Sequence, residues 1–343
     1  MIADLQTNLV CVSNLLRRRH PDLVLGLESI LREHGVPLVE IPGTRDVWCR
    51  DYLPVQIDVG RFVQFRYAPD YLSGRYRYLR VDGEIGPTLP QVGRCERSDI
   101  VLDGGNVVGW TNRAIVCDKV FAENPGWKPS ELIRRLERLL EVERVIVIPT
   151  EPGDVLGHSD GVVRFIGPDL VLVNDYRKVD ARYRLALRRA LAGAGLTMVE
   201  LPYKPKAAGT RGIPPAFGCY INYLRVDQLV VVPGYDLPED SEVLERLRQI
   251  LPDSEVRHLD CAALSGDGGV LNCATWSIRA IGRVEIPRPH RQSHRHRLLD
   301  GFGGNCDTDL ACHIKGPFPS RFEQCQSTRS ITGVGGTLGP RNG

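Results

Sequence analysis

The chain repeats one pattern of polar and apolar positions at intervals of about 50–60 residues. A polar or glycine-rich start leads into alternating apolar residues, a tight turn and a second apolar run, which predicts two strands joined by a turn. The segments with this pattern are "CRDYLPVQIDVGRFVQFRY" (49–67), "LDGGNVVGWTNRAIVCDK" (102–119), "GHSDGVVRFIGPDLVLVND" (157–175) and "GCYINYLRVDQLVVVPG" (218–234).

A second period, that of an amphipathic helix, appears between these segments. It covers 22–35, 128–143, 180–196 and 239–251, and a short apolar strand follows each helix at 37–41, 144–149, 197–202 and 255–260. In the second helix one stripe collects Leu132, Ile133, Leu136, Leu139 and Leu140. Ser130 is the predicted N-cap of that helix.

The resulting unit is strand, strand, helix, strand, and we expect four full copies of it. A fifth stretch, "GDGGVLNCATWSI" (266–278), lacks a helix of its own, and the strand "NLVCV" (8–12) is expected to complete it and close a ring. One such unit cannot bury its apolar face alone, so the units must pack on one another. The fold class predicted is therefore α/β, a five-bladed propeller of pseudo-symmetric ββαβ units. We predict one catalytic domain over 1–282 and a low-complexity, disordered tail over 283–343.

Composition narrows the classes of function. The 343 residues are 42% apolar and 25% charged, which is typical of a soluble globular protein, and the net charge of +2 gives no basic bias towards nucleic acid. No apolar run approaches membrane-spanning length, and the N-terminus lacks a secretory pattern. We therefore predict a reduced, cytoplasmic protein without nucleic-acid or membrane partners, in which most cysteines are small buried hydrophobes. The cysteines of the tail fit no common zinc spacing, so no metal site is expected.

Chemistry-bearing residues occupy the starts of four of the five units. They are Asp51, Asp103, His158, Asp160 and Cys273. Three carboxylates that converge would repel one another unless a cation lay between them. A planar guanidinium and a metal ion are the two candidates, and the aligned Cys273 favours the guanidinium.

This set suggests covalent catalysis on a guanidinium carbon. The Cys273 thiolate would attack the carbon, while Asp51 and Asp160 hold the nitrogens. His158 would donate a proton to departing ammonia and then take one from water, with Asp103 fixing the imidazole. The glycine pairs 104–105 and 268–269 would let the backbone approach a flat ligand.

Each of these residues also has an ordinary structural explanation. Cys273, His158 and Trp48 are each compatible with core packing. Asp51 could pair with Arg50 or Arg45, and Asp103 could cap the turn that follows it. Against this, His158 and Asp160 are two residues apart and should share one face of a strand.

The motifs "DVWCRD", "LDGGN", "GHSDGVVRF" and "GGVLNCAT" resemble, in this order, those of the agmatine deiminase and Porphyromonas-type peptidylarginine deiminase family. These are guanidine-modifying enzymes with the pentein fold, and the resemblance covers about residues 1–280. It implies hydrolysis of a guanidino group to a ureido group and ammonia, with no metal or organic cofactor. Matched residue by residue, it places the nucleophile on Cys273, the general acid and base on His158, and the guanidinium-binding carboxylates on Asp51 and Asp160. Asp103 matches the second-unit acid.

The substrate implied is a small guanidine: agmatine, arginine or a related compound, including peptidylarginine. The residues assigned to substrate binding are Trp48, Arg50, Gly105, Asn106, Gly268 and Gly269. The chain departs from the family pattern at four places: Asp103 replaces the usual Glu, Asn272 replaces the usual His before the nucleophile, Asp267 adds a charge, and "YAPDYLSGRYRYLR" (67–80) replaces the residues that shape the agmatine tail pocket. An amidinotransferase using the same residues, a non-enzymatic pentein binding protein, and a homodimeric state remain open.

Overall fold

The computed structural model describes residues 1–81, 85–206 and 213–282. The predicted tail, 283–343, lies outside the described residues, so the division into domain and tail stays a prediction. The strands are β1 Leu9–Ser13, β2 Leu38–Ile41, β3 Val55–Asp58, β4 Arg61–Arg66, β5 Arg94–Val101, β6 Val108–Trp110, β7 Arg113–Cys117, β8 Arg144–Ile148, β9 Val163–Phe165, β10 Leu170–Asn174, β11 Thr197–Leu201, β12 Leu224–Val226, β13 Leu229–Gly234, β14 Glu255–Asp260 and β15 Thr275–Ile278.

The described helices are short or of moderate length. They are α1 Asn14–Arg19, α2 Pro21–Glu33, α3 Cys49–Tyr52, α4 Lys119–Glu123, α5 Pro129–Leu140, α6 Ala181–Gly193, α7 Pro238–Ile250, α8 Ala262–Ser265 and α9 Leu271–Ala274. Within the described part of the chain, none of them has the length and apolarity that crossing a bilayer requires.

The strands form five three-stranded sheets, in the orders β3-β4-β5, β6-β7-β8, β9-β10-β11, β12-β13-β14 and β15-β1-β2, which we number one to five. Each sheet joins an antiparallel pair to a parallel pair, which is the strand arrangement of the predicted ββαβ unit. The predicted closure is also confirmed, because β1 pairs with β15 in the register Leu9 to Ile278. The two ends of the described domain therefore share sheet five.

Four helices, α2, α5, α6 and α7, connect the parallel strands of sheets five, two, three and four. The apolar stripe of α5 is buried, with Leu132, Leu136 and Leu140 fully inaccessible, so each contributes about 2 kcal/mol by burial. The prediction that Ser130 caps α5 is wrong: Lys128 is the N-cap and Pro129 opens the helix. Proline suits that first position because its fixed φ is already helical. A backbone N–H at this position would make no hydrogen bond within the helix, so its absence in proline costs nothing.

Among the described residues, the unit that has no α-helix between its parallel strands is the first and not the fifth. Sheet five receives α2 from the N-terminal segment. In sheet one, β4 and β5 are joined by two 3-10 turns among the described residues of the connection, Asp70–Leu72 and Gly74–Leu79. Pro69 precedes the first turn, and Gly74 has a φ of +58°, so the backbone departs from α-helical geometry at both points. This connection leads to the centre of the molecule.

Candidate active site

The predicted catalytic side chains lie on or next to short helical turns that precede the first strands of sheets one, two, three and five. Asp51 is in α3 and Cys273 is in α9, while Asp103 and His158 are the N-cap residues of the 3-10 turns Gly104–Asn106 and Ser159–Gly161. The prediction that His158 and Asp160 share a strand face is therefore wrong. Ser, Asp and Gly favour a turn over an extended strand because short polar side chains compete for backbone hydrogen bonds and glycine is flexible.

These turns meet at the centre of the molecule. The helix α3 contacts both α9 and the turn Gly104–Asn106, and that turn contacts Ser159–Gly161. The five predicted catalytic residues are all less than a tenth exposed. Their charges consequently act on one another with little screening by solvent.

His158 lies between two carboxylates. Its Nδ1 is 3.5 Å from Asp51 Oδ1, and its Nε2 is 3.1 Å from Asp103 Oδ2. Burial alone would lower the pKa of His158, but Asp51 and Asp103 outweigh burial and raise that pKa to about 10. Burial raises the pKa of Asp51 to about 7, opposed by His158 and reinforced by Asp103 and Asp160. At neutral pH the imidazole is therefore a cation that can donate a proton.

Two of the structural alternatives disagree with this geometry. Among the described residues, the ion-pair partner of Asp51 is His158, and not Arg50 or Arg45. Asp103 occupies the N-cap position of its turn, but its side chain makes no capping hydrogen bond. Its Oδ2 instead accepts from His158 and from the hydroxyl of Tyr71, which lies 2.7 Å away.

Cys273 lies at the edge of a hydrophobic core cluster and also lines a cavity. Its Sγ is 3.6 Å from Asp160 Oδ2 and accepts a hydrogen bond from Asn222 Nδ2 at 3.2 Å. Asn222 Oδ1 also accepts from the backbone N–H of Cys273 at 3.2 Å. Burial, with Asp160 and Asp51 nearby, raises the pKa of the thiol well above its ordinary value, so the ligand-free site holds a thiol.

Asn272 connects Asp160 to Arg50. Its Nδ2 donates to Asp160 Oδ2 at 2.6 Å, and its Oδ1 accepts from Arg50 Nη2 at 3.3 Å. Arg50 does not line the cavity that holds Cys273; it lies against Asn272 and in a separate small cleft with Asp4. Its predicted contact with substrate would therefore have to be indirect.

Three carboxylate oxygens of the site have no hydrogen-bond partner among the described residues. They belong to Asp51, Asp103 and Asp160 and are the Oδ1 atom in each case. A buried acceptor without a partner costs about 1–3 kcal/mol. A ligand that brings several N–H donors and a positive charge would remove that cost, and a guanidinium has five such donors in one plane when it is singly substituted.

The cavity beside Cys273 measures about 280 Å³. His158, Asp160, Asn222 and Cys273 form its buried part, and Gly268 and Gly269 also line it. Two further carboxylates, Glu151 and Asp154, belong to its wall, and Lys206 belongs to its exposed rim.

The other predicted substrate-binding residues take supporting positions. Trp48 is buried in the core and fills the space that a side chain on Gly269 would need, 2.6 Å from the place of a Cβ. A Cβ on Gly105 would meet Asp51 Oδ1 at 2.6 Å, so this glycine makes room for the Asp51–His158 pair. The Asn106 side chain accepts from the backbone N–H of Cys117.

Sequence reasoning missed Asn222, Tyr71 and Glu151. Asn222 precedes the first strand of unit four, the position that carries acid, His or Cys in the other units, so the repeat itself held the signal. Glu151 accepts from the hydroxyls of Tyr176 and Tyr203 at 2.6 and 3.1 Å. Nothing in the local sequence pattern indicated a role for Tyr71, or the contacts of Glu151 with the two tyrosine hydroxyls.

The chain is similar in sequence to known proteins. Residues 1–278 match the family model of the Porphyromonas-type peptidyl-arginine deiminases. The chain is 25% identical over 285 residues to an agmatine deiminase of Ectopseudomonas mendocina, which covers 71% of this chain and 77% of that protein, and to one of Pseudomonas aeruginosa with the same coverage.

Solved structures give the same fold. The agmatine deiminase of C. jejuni superposes with a TM-score of 0.66 at 15% identity, covering 82% of this chain and 96% of that one. That of Enterococcus faecalis has a TM-score of 0.66 at 18% identity, with 82% and 95% covered. The five sheets are thus those of the pentein fold, and the chain belongs to the Porphyromonas-type peptidyl-arginine deiminase family.

Proposed function

We propose that this protein is a deiminase that hydrolyses the guanidino group of a small guanidine to a ureido group and ammonia. The observation that carries the proposal is the set of three buried carboxylate oxygens, around His158 and Cys273, that have no hydrogen-bond partner among the described residues. A guanidinium would satisfy these acceptors and compensate their charge. Membership of the deiminase family supports the same reaction class.

In the proposed reaction, the bound guanidinium supplies the cation that lowers the pKa of the Cys273 thiol, and the thiol proton leaves to solvent. The thiolate forms an S–C bond to the guanidinium carbon. The C–N bond to a terminal nitrogen then breaks as that nitrogen takes the proton of His158 and leaves as ammonia. The enzyme retains an amidino group on sulfur.

The second half of the reaction uses water. Neutral His158 takes one proton from the water as its oxygen adds to the amidino carbon. The C–S bond breaks, the electron pair returns to sulfur, and the remaining hydroxyl proton leaves with ammonia as ammonium. The ureido product is released, the imidazolium is restored, and the thiolate takes a proton from solvent to regenerate the resting thiol. No metal or organic cofactor enters this scheme.

The cavity wall supports a substrate with a cationic tail. Glu151 is held in place by two tyrosine hydroxyls, and Asp154 lies in the same wall. Both carboxylates favour an ammonium group over a carboxylate. We therefore place agmatine first among the substrates, ahead of free arginine and peptidylarginine.

A cytoplasmic location and a homodimeric state stay predictions. Cell fractionation would test the location, and light scattering would test the oligomeric state.

The test is a substrate panel on the full chain, with ureido product and ammonia measured together. We expect one ammonia per ureido group from agmatine, with no acceptor amine present. Cys273→Ala should abolish turnover, whereas Cys219→Ser, at the other cysteine that lines the cavity, should retain most of it. Turnover by Cys273→Ala would refute the covalent mechanism, and product formed only with an added amine would identify an amidinotransferase instead.

A further inference from the structure

Asp103 Oδ2 serves two donors at once. It lies 3.1 Å from His158 Nε2 and 2.7 Å from the hydroxyl of Tyr71. The Tyr71 ring also meets the imidazole edge-on, with centroids 6.3 Å apart and planes at 73°. Tyr71 thus contacts both members of the Asp103–His158 pair.

The segment that carries Tyr71 is fixed to the loop that leads into His158. Leu72 is fully buried, and Lys119 Nζ bridges Asp70 Oδ1 at 2.8 Å and the Val155 carbonyl at 2.6 Å. The same ammonium lies 5.1 Å from the centre of the Tyr71 ring. These contacts of Leu72 and Lys119 hold Tyr71 in the position from which its hydroxyl donates to Asp103.

The direction of the hydrogen bond follows from chemistry. Burial, with Asp103 close by, raises the pKa of Tyr71 well above its ordinary value, so the phenol keeps its proton and donates. An aspartate has one methylene less than a glutamate, so the phenol oxygen occupies space towards which a longer carboxylate would extend.

We propose that Tyr71 is a positioning residue whose hydroxyl fixes the Asp103 carboxylate and thereby sets the orientation and proton affinity of His158. The inference rests on the proposed deiminase function only in naming the reaction that the pair serves. Because Tyr71 shares the charge of Asp103, removal of its hydroxyl leaves more of that charge to act on His158.

The decisive variant is Tyr71→Phe, which keeps the ring and its contacts and removes one oxygen. With agmatine we expect kcat to fall about tenfold through lost positioning, with KM changed by less than about twofold. The basic limb of the kcat–pH profile should move upwards by about 0.5 unit, because His158 holds its proton more tightly. A purely structural contribution would not move that limb.

Three comparisons make the test specific. Tyr78→Phe, on the same connection but exposed, should behave as wild type. Asp103→Glu should lose much less activity in the Tyr71→Phe background than alone, because the phenol oxygen no longer occupies the space of the added methylene. The downfield NMR signal of the His158 Nε2 proton, assigned by its loss in His158→Asn, should shift in Tyr71→Phe without any substrate present.

A wild-type chain inactive on every guanidine, with the NMR shift present, would overturn the deiminase proposal and leave the positioning contact established. An active chain in which Tyr71→Phe changes neither kcat, the basic limb nor the Nε2 signal would overturn the role of Tyr71. Matching melting temperatures for the variants would show that folding is not the cause of either result.

Discussion

Substitution of Asp160 by Asn should make Cys273 more reactive towards a neutral alkylating agent, although it should destroy catalysis. Asp160 Oδ2 is 3.6 Å from Sγ, and its negative charge opposes formation of the thiolate. At an effective dielectric constant of about 20, two unit charges at that distance repel by about 4–5 kcal/mol. This corresponds to about 3 pH units in the pKa of the thiol.

Part of this effect is already offset in the folded protein, because Asn272 donates to Asp160 and the imidazolium of His158 lies nearby. We therefore expect the pKa of Cys273 in Asp160→Asn to fall by about 1–2 units, a 10- to 100-fold gain in thiolate below that pKa. The same change removes a guanidinium ligand, so turnover of agmatine should fall below detection.

The assay is iodoacetamide alkylation between pH 6 and 10, with Cys273 followed by peptide mass spectrometry. Cys219 lines the same cavity and reports access of the reagent. Asp160 also raises the pKa of Cys219, but less than burial and Glu151 do, so we expect a smaller change there. Alkylation of Cys273 at an unchanged or slower rate, while Cys219 shows that the reagent still enters the cavity, would refute the argument that Asp160 adds to burial in keeping the resting thiol protonated.

Two further predictions follow from the site. Asn222→Ala removes both the donor to Cys273 Sγ and the acceptor of the Cys273 backbone N–H. Because one preorganised polar group is lost, kcat should fall about 10- to 100-fold. Steady-state kinetics on a variant with an unchanged melting temperature test this, and an unchanged kcat would contradict it. The raised pKa of His158 stabilises the fold fully below about pH 6.5, its ordinary value, and that stabilisation is lost as pH rises to about 10. Urea unfolding should therefore show a decline in the free energy of unfolding over this range, with a smaller decline in His158→Asn; equal declines would contradict the assignment.

The ring of five units could be read from the sequence because each unit is local. A strand pair, a helix and a returning strand each leave a short periodic signal, and the pairing of 8–12 with 266–278 followed from counting incomplete units. The prediction of a helix in the first unit is wrong because the connection from β4 to β5 carries Pro69 and Gly74. No local sequence pattern predicts the conformation that such a non-helical connection adopts.

The catalytic residues of the site could be predicted from the residue types at equivalent positions of the repeat. The backbone conformation around them and their contacts with other side chains could not be predicted in this way. The pattern predicts Asp51 and Cys273 at the starts of strand units, whereas both lie on helical turns that precede the strands. These turns precede the strands, and alternation along a strand says nothing about where the side chains of a preceding turn point. The contact of Tyr71 with Asp103 joins residues 32 positions apart through a connection without regular repeats, so only the folded chain reveals it.

The pairing of β1 with β15 has a consequence for how the protein is made. Cys273 lies immediately before β15, whose antiparallel partner is the N-terminal strand. A nascent chain can complete sheets one to four from nearby segments, but the last sheet needs a contact across about 265 residues, which is among the slowest to form. The thiol is thus brought into the site only when the two ends of the described domain meet. Joining residue 282 directly to residue 1, without 283–343, and opening the chain at an exposed turn should yield a circular permutant that retains the site and in which β15 and β1 fold as an ordinary local hairpin.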